Sequence, residues 1–245
     1  MTAHFLGLKG AATLQTRHLL LTRKAIDDVI EAEAMGAIVG PAGLGKTFAV
    51  SEALKRHTIP IVRLTFESRP TMRLVADRLL NKLTGKTPSR VTRFLMTDEL
   101  LSTLSKRRRL VVIGEAQNLN RDCFEYLRHL HDDPDTRFGL LFDGGDGCWD
   151  VISREPMLRS RIYRPVNFAP LSEEDILTLI PTYHQIYKHA DPELLLEIND
   201  RVANGRMRSW AAFTKTADEF CQARNADEVS PAIAQSAIAH LAAAD

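Results

Sequence analysis

The stretch Gly40-Pro41-Ala42-Gly43-Leu44-Gly45-Lys46-Thr47 decides the fold of this chain. It fits the pattern G-x-x-x-x-G-K-[ST], whose glycines permit a tight loop with backbone N–H groups around phosphate oxygens. In such a loop Lys46 reaches the β- and γ-phosphates and Thr47 places its hydroxyl on Mg²⁺, while Phe48 closes the binding stretch. The sequence therefore predicts a nucleotide-binding P-loop.

The residues on either side of this loop support the interpretation. Residues 37–39 are a short apolar run that predicts a buried strand, and residues 48–56 predict a helix without Gly or Pro. The positive end of that helix would face the phosphates. The alternative is a glycine-rich turn that merely joins a strand to a helix.

Composition limits the class of protein. A hydrophobic content of 44% and a charged content of 26% in 245 residues are ordinary for a globular protein. The net charge of +1 means that any nucleic-acid binding must come from a local patch. Cys123, Cys148 and Cys221 are scattered without a C-x-x-C pair, which argues against a zinc site or a disulfide framework. With no apolar run of about 18 residues and no leader, we expect a cytoplasmic protein that does not enter a membrane.

The rest of the chain alternates strands with helices and then becomes helical. Further strands are predicted at residues 61–66, 110–113, 139–142 and 163–168, and a short helix at 151–158. Beyond Ala169-Pro170, helices are predicted at residues 172–188, 192–202, 206–224 and 230–243, the last with Ser230 as N-cap and Pro231 at its first position. We expect an α/β P-loop fold with a five-stranded parallel sheet flanked by helices, followed by a small all-helical lid. The predicted domains are 1–170 and 171–245, and residues 1–15 are interpreted as a strap across the nucleotide base or a neighbouring subunit.

This combination resembles the AAA+ ATPases. Residues 110–119 (LVVIGEAQNL) and 124–132 (FEYLRHLHD) are similar to the transposition-helper group of MuB, TnsC/TniB and IstB. The resemblance implies an ATP- and Mg²⁺-dependent protein that oligomerises as a ring or filament on double-stranded DNA and recruits a transposase. An initiator or clamp-loader relative, and an ATP-binding assembly switch with little hydrolysis and no DNA role, remain alternatives.

The resemblance also implies roles for individual residues. Glu115 matches the Walker B glutamate that orients the attacking water, and Gln117 and Asn118 are candidates for positioning that water or sensing the γ-phosphate. Arg161, in Ser160-Arg161-Ile162, is the first candidate for an arginine finger acting on a neighbouring subunit, with Arg159 and Arg154 as substitutes. Arg208, in Gly205-Arg206-Met207-Arg208, matches the lid arginine that faces the γ-phosphate. Each of these arginines could instead be an ordinary surface charge.

One position departs from the family pattern. The Walker B run normally ends in Asp-Glu, whereas this chain has Gly114-Glu115. The missing carboxylate normally holds a water of the Mg²⁺ shell, so its absence puts metal affinity and rapid hydrolysis in question. Asp143, at the end of the fourth predicted strand, is a candidate to replace it.

Basic residues after the second strand and after the third supply a possible DNA surface. Individually, each could equally be a solvated charge. The candidates are Arg69, Arg73, Lys86, Arg90, Arg93 and Arg121.

Overall fold

The sheet is the framework of the larger part of the fold. A computed structural model of the chain describes residues 7–85 and 92–243, without the side chain of Arg93. Its strands are β1 Met35–Val39, β2 Ile61–Thr65, β3 Arg109–Gly114, β4 Phe138–Gly144 and β5 Ile162–Asn167. They form one parallel sheet in the order β2-β3-β4-β1-β5. The predicted five-stranded parallel sheet is confirmed.

The helices lie before, between and after the strands. In the described part of the chain the α-helices are α1 Arg17–Glu31, α2 Lys46–Leu54, α3 Met72–Thr84, α4 Arg93–Ser105, α5 Arg121–Asp132, α6 Cys148–Ser153, α7 Pro156–Arg159, α8 Glu173–Tyr183, α9 Pro192–Ile198, α10 Met207–Ala223 and α11 Pro231–Ala242. The predicted all-helical region after the sheet is confirmed. Over the described ranges, none of the helices has both the length and the apolar character needed to cross a bilayer.

Helices cover both faces of the sheet because side chains alternate along each strand. Val111 and Ile113 of β3 belong to an apolar core shared with α3, α4 and α5. On the opposite face, α1 approaches the backbone closely at two glycines. A Cβ atom at Gly36 would lie 2.6 Å from Cγ2 of Val29, and one at Gly139 would lie 2.9 Å from the Val29 carbonyl oxygen. Larger residues at these two positions would push α1 off the sheet.

Some helix boundaries differ from the sequence prediction. The single helix predicted at 151–158 is wrong, because two short helices, α6 and α7, occupy this region. Pro156 explains the break: proline cannot continue a helix but is favoured at its first turn, where its missing N–H costs nothing. The helix predicted at 172–188 ends at Tyr183, and a 3₁₀ turn, Gln185–Tyr187, follows it. The helix predicted at 192–202 ends at Ile198 and passes into a π-helical turn, Asn199–Ala203.

The chain divides into two compact units. The first comprises the described residues up to Leu20, Ala42–Phe48, and the described residues from Ala169 onward; the second comprises Leu21–Pro41 and Ala49–Phe168. The second unit contains the sheet and the first two residues of the P-loop stretch, and the first contains the rest of that stretch together with α8 to α11. These compact units differ from the predicted domains, 1–170 and 171–245. The division into those two domains stays a prediction.

The N-terminal segment packs within the first unit. Leu8 and Leu14 are buried in the same apolar core as Trp210 of α10. The backbone N–H of Ala12 donates to the carbonyl oxygen of Tyr183 at 2.7 Å, and Nε2 of His184 lies 2.9 Å from the carbonyl oxygen of Lys9. The described part of the predicted strap therefore lies on helices of its own unit, and its contact with a base or a neighbouring subunit stays a prediction.

Candidate functional site

The P-loop stretch adopts a backbone that only glycine takes readily. Gly40, Gly43 and Gly45 have φ values of 139°, 83° and 93°, all positive. A Cβ atom at Gly40 would also lie 2.6 Å from the carbonyl oxygen of Phe168, so a side chain is excluded there on steric grounds as well. The spacing of the motif glycines thus matches the positions where the loop backbone needs them.

Helix α2 begins at Lys46, directly after these glycines, and Lys46 is 8% exposed. The first N–H groups of a helix have no partner within the helix and carry its positive dipole end. Residues 40–48 contain no acidic side chain. Backbone amides, one lysine and the Thr47 hydroxyl are a donor set that fits an anionic polyphosphate with its metal. Over the described ranges, no group of three or more His, Cys, Asp or Glu side chains is arranged to hold a metal ion.

The lid arginine motif contacts the P-loop stretch within the first unit. The backbone N–H of Arg208, in the first turn of α10, donates to the carbonyl oxygen of Gly43 at 2.9 Å. A Cβ atom at Gly43 would lie 3.5 Å from Cβ of Arg208, and one at Gly45 would lie 3.9 Å from Cβ of Met207. The loop carbonyl therefore caps a helix amide that would otherwise lack a partner. Two stretches that the sequence singled out independently are in contact.

Glu115, at the end of β3, has an unusual backbone. Its φ of 55° and ψ of 42° place it in the left-handed region, which is costly for a residue with a side chain. Nε2 of Gln117 donates to Oε2 of Glu115 at 2.6 Å, and Oε1 of Gln117 accepts from the N–H of Gly145 at 2.7 Å. Gln117 thus holds the Glu115 carboxylate against the loop that follows β4. Asn118 donates from Nδ2 to the carbonyl oxygen of Phe66 at 2.7 Å, which fixes the end of β2.

The carboxyl ends of β3 and β4 bring Gly114 and Asp143 side by side as register partners. Asp143 is 5% exposed, and its Oδ2 lies 3.2 Å from Nη2 of Arg63 on β2. Arg63 is not among the site residues predicted from the sequence. The sequence does contain one signal for Arg63, because it is the single charged residue in the predicted strand at 61–66.

The predicted arginine finger is engaged within its own unit. Nε of Arg161 donates to Oδ1 of Asp132 at 2.8 Å, and Nη1 donates to the carbonyl oxygen of Met157 at 3.1 Å. The side chain of Arg161 is one-third exposed, and Arg154 and Arg159 are exposed. A role for Arg161 in a neighbouring subunit requires it to exchange Asp132 for a phosphate.

The predicted DNA-binding residues are spread over the second unit. Arg69 is exposed, Arg73 lies 3.8 Å from Asp77, and Arg121 pairs with Glu125 at 3.4 Å and with Glu155 at 3.3 Å. Arg93 is the first residue of α4. Lys86 and Arg90, together with the Arg93 side chain, lie outside the described residues.

Comparison with solved structures shows a fold similar to that of Cdc6p, ORC1 and RuvB proteins. Cdc6p from Pyrobaculum aerophilum matches 93% of this chain and 68% of its own, at 16% identity and a TM-score of 0.71. The Aeropyrum pernix ORC1 protein, solved in complex with DNA, matches 94% and 66%, at 16% identity and a TM-score of 0.65. The Thermotoga maritima RuvB Holliday junction branch migration motor matches 93% and 70%, at 15% identity and a TM-score of 0.59. The chain spans about two thirds of the length of these three proteins, and at such identities the likeness shows the fold alone.

Sequence comparison places the chain in a family. No curated protein sequence matches it. The model of the AAA domain family matches residues 29–152. This region runs from the end of α1 into α6 and includes β1, the P-loop, and β2 to β4. The matched region is half of the chain and contains the P-loop, Glu115 and Asp143. This chain therefore belongs to the AAA domain family.

Proposed function

We propose that this chain is an ATP-dependent DNA-binding protein that oligomerises on target DNA and recruits or activates a transposase. The observation that carries the nucleotide part is the contact between Gly43 of the P-loop and Arg208 of α10. The likeness of residues 110–119 and 124–132 to the transposition-helper ATPases supports the transposition role. An ORC1 protein of similar fold was solved in complex with DNA, which supports the DNA role.

The residues assigned to the nucleotide are those of the P-loop, with Arg208 for the γ-phosphate. The backbone N–H groups within residues 40–47 and the Lys46 ammonium would bind phosphate oxygens, and the Thr47 hydroxyl would hold Mg²⁺. The metal, when bound, neutralises charge on the β- and γ-oxygens. Glu115 accepts a proton from the attacking water and orients it. The core and lid domains, 1–170 and 171–245, and a cytoplasmic location belong to the same proposal.

In this proposal ATP drives assembly because Arg161 of one subunit completes the nucleotide-binding site of its neighbour. A ligand that binds the assembled state more tightly than the single subunit favours assembly by mass action. If DNA binds the same assembly, ATP raises the affinity for DNA, and DNA raises the affinity for ATP by the same factor. Electron microscopy of the protein with duplex DNA and ATP, compared with the protein alone, tests the proposed assembly. Rings or filaments that form only with ATP support the proposal. The absence of rings and filaments contradicts it.

Replacing Arg161 by Ala is expected to leave the ATP affinity of the unassembled subunit within about twofold, while ATP-driven assembly and turnover are lost. The loss of turnover should be on the order of 10³-fold, as for other arginine fingers. The matched control is Arg159→Ala, which removes an exposed arginine two residues away. Light scattering and phosphate release measure the two effects. Normal assembly and turnover in Arg161→Ala, with losses in Arg159→Ala, would move the finger to Arg159.

DNA binding is expected to be sequence-tolerant and strongly salt-dependent, because it would rest on backbone phosphates. Each neutralised phosphate contributes roughly −0.9 to the slope of log affinity against log salt. Replacing Arg73, Lys86 and Arg90 together by Ala should therefore reduce the slope by about 2.7 in magnitude. Fluorescence anisotropy with a labelled duplex at several salt concentrations measures it.

The matched control for this triple change removes the same charges elsewhere. Lys106, Arg107 and Arg137 are exposed basic residues that precede the amino ends of β3 and β4. Their combined replacement by Ala removes one lysine and two arginines, as the first variant does. An equal slope for both triple variants would exclude Arg73, Lys86 and Arg90 as the DNA surface.

Insertion by a transposase of the same genome, with and without this chain, tests recruitment.

A second candidate is an ATP-binding assembly switch with little hydrolysis and no DNA role. Gly114 favours it, because the carboxylate that normally supports the metal is missing from β3. An initiator- or clamp-loader-like ATPase is the third, and the solved structures of similar fold favour it over other ATPases. Measured ATP turnover separates the switch from the other two, and transposase stimulation separates the first candidate from the third.

A further inference from the structure

Gly114 leaves the carboxyl end of β3 without a side chain. The strand register places Thr65 of β2, Gly114 of β3 and Asp143 of β4 side by side. Paired residues of neighbouring parallel strands project from the same face, so Thr65 and Asp143 border the space above Gly114. A Cβ atom at Gly114 would lie 2.9 Å from Oγ1 of Thr65. The third strand thus presents no side chain between two polar neighbours.

The side chain of Arg63 reaches across β3 to Asp143. Strands β2 and β4 flank β3 and are therefore roughly 9–10 Å apart. Nη2 of Arg63 nevertheless lies 3.2 Å from Oδ2 of Asp143, so the ion pair spans β3. Nη1 of Arg63 donates to Oγ of Ser51 on α2 at 3.3 Å. On β3, the register partner of Arg63 is Val112, two residues before Gly114.

The carboxylate of Asp143 is held in this arrangement rather than left free to turn to solvent. Its side chain is 7% exposed, and that of Arg63 is 34% exposed. A carboxylate buried to this extent requires a compensating charge and hydrogen bonds. Arg63 supplies both, and it draws the carboxylate toward β3. A carboxylate is therefore fixed beside the position where the family pattern has its aspartate.

We propose that Asp143, held beside Gly114 by its ion pair with Arg63, supplies the metal-supporting carboxylate that β3 lacks. The proposal rests on the proposed binding of ATP and Mg²⁺. Asp143 would accept hydrogen bonds from water in the shell of the bound Mg²⁺, and Arg63 is a positioning residue that acts through it. Gly114 is then part of the same arrangement rather than a simple loss of function.

The experiment measures binding rather than turnover. Calorimetry gives the Mg²⁺ enhancement, which is the ratio of ATPγS affinity with Mg²⁺ to ATPγS affinity without it. Outer-shell partners of a metal typically contribute 10- to 100-fold to metal affinity. Asp143→Asn, which preserves size, is therefore expected to lower the enhancement by about tenfold and to leave the Mg²⁺-free affinity within about twofold. An unchanged enhancement in Asp143→Asn would overturn the inference.

A carboxylate restored on β3 should rescue this loss. Gly114→Asp combined with Asp143→Asn is expected to recover most of the Mg²⁺ enhancement, and Gly114→Asn in the same background, of equal size without charge, is not. Arg63→Gln should lower the enhancement severalfold, and Arg63→Lys should recover part of it. A purely structural role for Arg63 would lower the unfolding temperature without changing the enhancement, and that result would contradict its assignment.

Gly114→Asp alone keeps the test decisive if Asp143→Asn does not fold. Because Asp143 is already in place, Gly114→Asp should leave the Mg²⁺ enhancement within about twofold of that of the unaltered chain. A rise of about tenfold or more would show that the intact protein lacks the carboxylate, and would overturn the inference. If the unaltered chain bound no nucleotide, the proposed function itself would fail. Nucleotide binding without these effects would contradict only the role of Asp143.

Discussion

Replacing Lys46 by Ala is expected to lower ATP affinity by roughly ten- to hundredfold. Hydrogen bonds to charged groups contribute about 1.5–3 kcal/mol, and each 1.4 kcal/mol corresponds to a factor of ten. Lys46 is 8% exposed at the first position of α2, beside three glycines of positive φ. Its ammonium is the single cationic side chain within residues 40–48. No neighbour in the P-loop can therefore replace its charge.

Calorimetric titration with ATP measures the Lys46→Ala effect. The matched control is Lys55→Ala, which removes a half-exposed lysine just beyond the end of the same helix. Unfolding curves of both variants should stay close to that of the unaltered chain, so that lost binding is not lost folding. ATP affinity in Lys46→Ala equal to that in Lys55→Ala would refute the assignment of the P-loop.

Replacing Glu115 by Gln is expected to reduce ATP turnover by about 10²- to 10⁴-fold, the usual contribution of a general base. Glutamine keeps the size of the side chain but cannot accept a proton from water. The left-handed backbone of Glu115 costs about 1–3 kcal/mol, and residues held in this way are concentrated at functional sites. The hydrogen bond from Gln117 orients the carboxylate further.

Phosphate release in the presence of duplex DNA measures the Glu115→Gln effect, with ATP affinity determined in parallel. Affinity should change little, because the lost function belongs to the chemical step. Glu125→Gln, a change of the same kind at a half-exposed position of α5, provides the control. Turnover within twofold of the control would exclude Glu115 as the base. An unaltered chain without turnover on DNA would favour the assembly switch.

The sequence by itself determined the features that local interactions specify. The glycine spacing of the P-loop predicted a backbone that the structure confirms at Gly40, Gly43 and Gly45. Apolar runs predicted the strands, since strands buried on both faces contain few polar residues. The start of α11 followed from Ser230, whose side chain accepts from the N–H of Ile233, and from Pro231. Such features depend on residues within a few positions of one another.

Only the tertiary structure decided which distant side chains meet. Arg63 and Asp143 are 80 residues apart, and their pairing depends on strand order and register, which no local pattern encodes. The contact between Gly43 and Arg208 likewise follows from packing within one compact unit. The left-handed backbone of Glu115 is unfavourable for an isolated glutamate, so the surrounding fold must impose it. Sequence spacing predicted the candidate residues of the site, and long-range packing set their partners and conformations.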